Sequence, residues 1–185
     1  MSAPVRLLAL CGSLRAVSVH RSLLYAAQSV LPEGVSLSIY QGLADIPLFN
    51  PDLEGQGNDP VAVESFRAAL RECDGLLIAS PEYAHGVPGA LKNALDWIVG
   101  SGELSGKPVA VLNASPASTH AWNALIEIVR TMDARLVEEA CVRIPLATNR
   151  TTAGEILASP ALRELLAGAL SVLALAANSA QDQTR

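Results

Sequence analysis

"GLLIASPEYAHGVPGALKNALDW", residues 75–97, contains in one segment the types of element from which the fold is predicted. Its first six residues form a nearly continuous apolar run, which is typical of a β-strand covered on both faces. The nine residues 81–89 hold two prolines, two glycines, a Glu, a Tyr and a His. From Leu91 onward, apolar residues recur at helical spacing. The stretch predicts a strand, a loop and a helix in succession, and the loop is either a simple turn or a binding loop.

The same pattern of strand, loop and helix recurs along the chain. Apolar runs predict five strands, of which the fifth is more polar and typical of a sheet edge. These strands lie at 5–10, 35–40, 75–80, 108–115 and 136–144. Stripes of apolar residues at a spacing of about 3.6 predict five helices between and after them. The helical stripes cover 23–31, 66–70, 91–98, 125–132 and 162–173.

This alternation predicts a three-layer α/β fold, in which right-handed helical crossovers join parallel strands into a doubly wound sheet. Five strands in the order 2-1-3-4-5 give a flavodoxin-like sheet. The sequence has no repeat or linker, so we expect 1–185 to form a single domain. Ligands of such sheets bind at the carboxyl ends of the strands, where the strand order reverses. The predicted site therefore lies between the first loop, 11–18, and the third loop, 80–88.

Composition narrows the class of partner. The chain is 50% apolar and 17% charged, and its net charge of −5 lacks the basic patch of a nucleic-acid binder. Three separated cysteines and three histidines show no metal-ligand spacing, so we expect reduced thiols and no metal. We find no signal-like start, and Gly168 and Ser171 interrupt the apolar stretch 165–177. These features predict a cytoplasmic protein with no membrane span that binds small molecules.

The first loop, within "CGSLRAVSVHRS" at 11–22, opens a helix and matches neither phosphate-binding glycine motif. The hydroxyls of Ser13 and Ser18, the cations Arg15 and Arg21, and free backbone N–H groups favour a phosphate here. For Ser18 alone, a structural role as the helix N-cap is equally compatible with the pattern.

The third loop suits a planar ring, because Gly86 permits close approach of the chain. Tyr83 is expected either to lie against such a ring or to pack on the first loop. Glu82 is expected to contact the ligand, to orient the loop, or to pair with Arg15 or a neighbouring subunit. For His85 we expect an exposed side chain without a partner.

Taken together, the two loops resemble the NADPH-dependent FMN reductase family. The matching motifs are "GSLRxxSxxR" at 12–21 and "SPEYAHGVPGALKNALDW" at 80–97. The resemblance implies a single flavodoxin-like domain with bound FMN and with NADPH or NADH as hydride donor. It implies a small electron acceptor: a flavin, a quinone, an azo compound or a metal oxyanion. Because the flavin carries the redox chemistry, no catalytic side chain is implied.

Residue by residue, the resemblance places the flavin phosphate on the first loop and the ring on the third. The phosphate residues are Ser13, Arg15 and Ser18, with His20 beside them. The ring residues are Pro81, Glu82, Tyr83, Ala84, His85 and Gly86, and Ser115 is added from the loop after the fourth strand. The helix in "PGALKNALDW" resembles the family's dimerisation helix, which implies a homodimer or homotetramer. Its interface candidates are Leu91, Leu95, Trp97 and Ile98, and core packing explains the two leucines equally well.

The sequence departs from the family pattern at three places. His20 and Ala84 stand where relatives commonly have Asn. The fourth loop, "NASPASTHAW" at 113–122, lacks the glycines of many relatives, so His120 and Trp122 either crowd the flavin site or reshape it. Two alternatives therefore stay open: an electron carrier of the flavodoxin type, and a flavin-binding protein without turnover.

Overall fold

A parallel β-sheet with helices on both faces organises the computed structural model, which describes residues 4–55 and 59–183. Its main strands are β1 (Val5–Cys11), β2 (Val35–Ile39), β3 (Gly75–Ala79) and β4 (Pro108–Asn113). A fifth strand, β5 (Arg135–Leu136), completes the order 2-1-3-4-5. The predicted fold class and strand order are therefore confirmed.

The prediction of one continuous fifth strand over 136–144 is wrong, because the structure has two short strands there. β5 pairs with the start of β4, and β6 (Val142–Arg143) pairs with its end. Between them a 3-10 turn, Glu138–Ala140, exposes two glutamates and buries Ala140 completely. Interrupting an edge strand in this way shortens the row of unpaired backbone groups that it offers to other chains.

Within the described residues, six α-helices cover the two faces of the sheet. They are α1 (Val19–Gln28), α2 (Val61–Glu72), α3 (Gly89–Asp96), α4 (His120–Thr131), α5 (Ala153–Ala158) and α6 (Pro160–Gln183). Helices α1, α5 and α6 pack on one face, and α2, α3 and α4 pack on the other. In β1, Leu7 and Ala9 face the first layer, whereas Leu8 and Leu10 face the second. This alternation explains why the strand is apolar at nearly every position.

Helix α5 is an element that the apolar stripes do not predict, because it is only six residues long. A capping box starts it: the Thr152 hydroxyl accepts from the N–H of Glu155, and the Glu155 carboxylate accepts from the N–H of Thr152. The spacing Thr-x-x-Glu was the readable signal for this helix start.

Helix α6 is longer than its sequence pattern predicts. The predicted stripe, 162–173, lies within a helix that runs unbroken for 24 residues and includes Gly168 and Ser171. By length and composition alone it could cross a membrane, with a mean hydropathy of 1.5 over Pro160–Ala180. A core helix passes the same test, and the buried Leu166, Leu170 and Leu173 pack α6 on the sheet.

Helix α3 and the turn after it belong to the core of the subunit. Leu91, Leu95 and Trp97 are fully buried and Ile98 is 1% exposed, so these side chains are not available for a subunit interface. Their role as interface candidates is thus wrong, and the core alternative for the two leucines is confirmed. The segment 46–54 covers them, and the Trp97 Nε1–H donates to the carbonyl of Pro47 at 2.8 Å.

Candidate functional site

A cavity of about 370 Å³ lies at the carboxyl ends of β1, β3 and β4. Its volume falls within the range of about 300–1,000 Å³ found for ligand pockets. Most of the predicted site residues line it, namely Ser13, Arg15, Ser18, His20, Pro81, Glu82, Tyr83 and Ser115. The other three, Ala84, His85 and Gly86, follow directly in a turn at the rim. The structure thus brings the two predicted loops together at the switch point of the sheet.

The first loop presents hydroxyl groups and a free positive charge. The buried Ser13 Oγ accepts the N–H of Arg15 at 3.4 Å and shares a hydrogen bond of 3.2 Å with the Tyr83 hydroxyl. The Arg15 side chain is exposed and has no acidic partner among the residues that the structure describes. Its charge is therefore available to an anion in the cavity.

Ser18 occupies the N-cap position of α1, as its structural alternative predicts, yet its side chain makes no capping hydrogen bond. The first N–H groups of α1 therefore lack a side-chain acceptor at an end where the helix dipole favours negative charge. Because Ser18 also lines the cavity, this helix terminus is suited to bind an anion. Arg21 lies outside the lining, where its Nη1 donates to Gln41 Oε1 at 3.4 Å.

His20 contributes a neutral imidazole. Its Nε2 accepts the N–H of Ala114 at 3.3 Å, which assigns the proton to Nδ1 and ties α1 to the end of β4. Burial lowers the pKa of His20 to about 4. At neutral pH the ring is uncharged, so it supplies the cavity with polarity but no positive charge.

The third loop closes as a tight turn. Tyr83 and Gly86 exchange two backbone hydrogen bonds of 3.1 and 2.9 Å, and Ala84 and His85 between them have φ angles of 49° and 59°. Two left-handed residues in succession form a type I′ turn, which Asn and Gly enter most readily. The N–H groups of Glu82, Ala84 and His85 have no hydrogen-bond partner in the described parts of the chain. They remain available as donors to a ligand.

Tyr83 packs on the first loop, as one of its two alternatives predicts, because its hydroxyl shares a hydrogen bond with Ser13. It also lines the cavity, and its contact with a ring stays a prediction. Glu82 takes the orienting role: its Oε2 accepts the N–H of Ala121 at 2.8 Å, in the first turn of α4. The alternative pairing of Glu82 with Arg15 is not made. Glu82 thereby joins the third loop to the fourth.

His85 is exposed as expected, but the expectation that it has no partner is wrong. Its ring stacks on that of His120, with centroids 4.4 Å apart and planes 18° from parallel. His120 and Trp122 do not belong to the lining of the cavity, and their effect on the flavin site stays a prediction. Trp122 lies under the guanidinium of Arg143, 4.8 Å from the ring centroid.

One wall of the cavity lies outside the predicted loops and is formed by the segment after β6. Its lining residues are Leu146, Ala147, Thr148 and Asn149. The polar pair Thr148 and Asn149 after an apolar run was the available signal. This segment follows an edge strand, and the order of a doubly wound sheet predicts a site only between its first and third strands.

A doubly wound parallel sheet with a cavity at its switch point gives this chain a flavodoxin-like fold. Solved structures share the fold. The flavoenzyme NAD(P)H:(acceptor) oxidoreductase FerB from Paracoccus denitrificans matches with a TM-score of 0.71 at 22% identity, over 91% of this chain and 97% of its own. An NADH:FMN oxidoreductase in its apo form gives 0.67 at 21% identity, over 92% and 89%.

The chain belongs to the NADPH-dependent FMN reductase family, whose model matches residues 5–149. An NAD(P)H-dependent FMN reductase of Pseudomonas aeruginosa is 36% identical over 180 residues, which are 95% of this chain and 96% of the relative. The quinone reductase of Escherichia coli K12 is 34% identical over 117 residues, 62% of each chain. An NADPH:quinone oxidoreductase of Arabidopsis thaliana is 48% identical over 95 residues, 50% of this chain and 48% of its own.

Proposed function

We propose that this FMN-dependent NAD(P)H oxidoreductase delivers electrons from NADPH to a small planar acceptor of the quinone class. The observation that carries the proposal is the cavity at the switch point, where Arg15 and the uncapped start of α1 meet the third loop. Curated relatives that are 34% to 48% identical over about half of the chain or more are named quinone reductases, which supports this acceptor class.

The residues of the cavity fit FMN at its phosphate end. A phosphate monoester carries nearly two negative charges and needs cationic and neutral donors around it. We propose that Arg15 supplies the cation, Ser13 and Ser18 the hydroxyls, and the first turn of α1 the backbone donors. His20 stands beside them as a neutral group. None of these donors is paired with an acidic side chain in the described parts of the chain, so the phosphate has no carboxylate to displace.

The third loop fits the ring end of FMN. We propose that the free N–H groups of Glu82, Ala84 and His85 bind the polar edge of the ring, while Pro81 and Tyr83 contact its face. At the same end of the site, Gly86 would permit the chain to approach the ring closely, and Ser115 would contribute its hydroxyl. Bound FMN supplies the hydride and electron transfer. The protein binds it, orients it and limits access of water, and no side chain is assigned a catalytic role.

We also propose that 1–185 folds as a single FMN-binding domain and assembles in the cytoplasm as a homodimer or a dimer of dimers. Because the apolar side chains of α3 are buried, the interface must use others. Leu48, 84% exposed, and Val99, 59% exposed, flank the covered helix and suit an apolar contact. Sedimentation velocity of the purified protein tests the assembly, and a monomer at all concentrations would refute it.

Acceptor profiling tests the proposed activity. The purified protein is loaded with FMN, and NADPH or NADH consumption is followed with p-benzoquinone, free FMN, an azo dye and chromate. We expect the highest kcat/KM with the quinone. Turnover of another acceptor with a higher kcat/KM than the quinone would refute the quinone assignment, and absence of turnover with all four would refute the activity.

A further inference from the structure

A stacked pair of imidazoles, His85 and His120, joins two walls of the cavity at its rim. His85 belongs to the turn that directly follows the lining residues Glu82 and Tyr83. His120 begins α4, two residues after Ser118, which also lines the cavity. The ring centroids of His85 and His120 are 4.4 Å apart, and both side chains are exposed. The imidazole pair thus lies on the surface next to two segments that line the cavity.

The imidazole pair is held firmly from both sides. On the third loop, the turn places His85 at φ 59°, and the Glu82 carboxylate anchors the same loop to the N–H of Ala121. On the fourth loop, Arg143 donates from Nη1 to the carbonyl of Pro116 at 3.3 Å while its guanidinium lies over Trp122. These contacts oppose any movement that would separate the two rings.

The position of the imidazole pair affects the electron acceptor, because FMN and the acceptor must both bind at the same cavity. If FMN fills the cavity of about 370 Å³, the electron acceptor is left with the space at the rim. Two imidazole rings at that rim take up volume that small side chains would leave open. They also offer flat surfaces against which another planar ring can stack.

We propose that the His85 and His120 pair is the specificity-determining wall of the acceptor site, which admits single-ring quinones and excludes bulkier acceptors with two linked rings. This inference rests on the proposed function and adds the size limit of its second substrate. The wall acts as a unit, because the two rings stack on each other.

Replacement of either ring tests the wall. We would prepare His85→Asn, His120→Asn and the double variant, all loaded with FMN. Asn tolerates the left-handed conformation at position 85, and at position 120 it is a short polar residue that keeps the helix start. The readout is the ratio of kcat/KM for the azo dye methyl red to that for p-benzoquinone, at saturating NADPH. We expect either single variant to raise this ratio about tenfold, the size of a lost steric contact in a binding pocket.

The double variant should raise the ratio no further, because residues that act through one contact give non-additive effects. Asn123→Ala, on the exposed side of α4 one turn later, is the matched control and should leave the ratio unchanged. An unchanged ratio in both single variants, or independent effects that multiply in the double variant, would overturn the proposal. Failure of the proposed function is distinguishable, since FMN in the wild-type protein would then not be reduced by NADPH.

Discussion

Arg15 and His20 lie on the same wall of the cavity and differ in what they bring to it. The guanidinium of Arg15 is exposed and without an acidic partner in the described parts of the chain, so its charge is free for a ligand. The imidazole of His20 is buried and neutral, and its Nε2 is occupied by the N–H of Ala114. We therefore expect Arg15 to contribute to the affinity for the flavin phosphate, and His20 to contribute to the pH dependence of the free energy of unfolding.

Arg15→Ala should weaken FMN binding and spare riboflavin, which lacks the phosphate. A charge-assisted hydrogen bond to the phosphate contributes about 1.5–3 kcal/mol. Titration of the apoprotein with each flavin, followed by flavin fluorescence, measures both affinities. Arg21→Ala is the matched control, because its guanidinium contacts Gln41 outside the cavity. Equal losses of FMN and riboflavin affinity in Arg15→Ala would place this side chain away from the phosphate.

His20 should make the fold sensitive to acid. Burial lowers the pKa of its imidazole from 6.5 to about 4, so between these values the unfolded chain binds more protons than the folded one. Its contribution to stability is therefore fully present above the unfolded pKa and falls as the pH drops, by about 2 kcal/mol at about pH 5.

The measurement for His20 is urea unfolding at about pH 8 and about pH 5. His20→Gln cannot titrate, so its free energy of unfolding should fall by about 2 kcal/mol less than that of the wild type over this interval. All other titrating groups are common to both proteins. Identical pH dependence in the two proteins would show that burial does not perturb His20.

Among the strands and helices, the sequence pattern predicts those that bury a long apolar face and misses those that do not. The strands β1, β3 and β4 are buried on both faces and lie close to their predicted bounds. The edge strand 136–144 is broken, because Glu138 and Glu139 remain in solvent while the chain turns to bury Ala140. Helix α6 tolerates Ser171, whose hydroxyl bonds back to the carbonyl of Ala167 at 2.9 Å.

The turn in the third loop predicts a stabilising substitution. Ala84 has a φ of 49°, a conformation that costs an ordinary L-residue about 1–2 kcal/mol and that Asn adopts more easily. Ala84→Asn should raise the free energy of unfolding by about 1 kcal/mol. Ala124→Asn on the exposed face of α4 is the control and should lower it by about 0.5 kcal/mol, the helix preference for Ala. Thermal unfolding of the wild type and both variants is the measurement. A Tm of Ala84→Asn below that of the wild type would contradict the claim that Ala84 is strained.

At the scale of the whole molecule, the topology follows from the alternation of strands and helices, and it brings the first and third loops together. The contacts between the third and fourth loops were not predictable, because each joins residues far apart in the sequence. They are the Glu82 carboxylate with the N–H of Ala121 and the ring of His85 with that of His120. The wall 146–149 was missed for the same reason.

The most direct test of the flavin site and its activity is anaerobic mixing of the FMN-loaded protein with NADPH in a stopped-flow spectrometer. We expect the visible absorption band of the bound flavin to bleach and to return when p-benzoquinone is added. A band that stays unchanged would contradict the reductase function and leave an electron carrier or a flavin-binding protein without turnover.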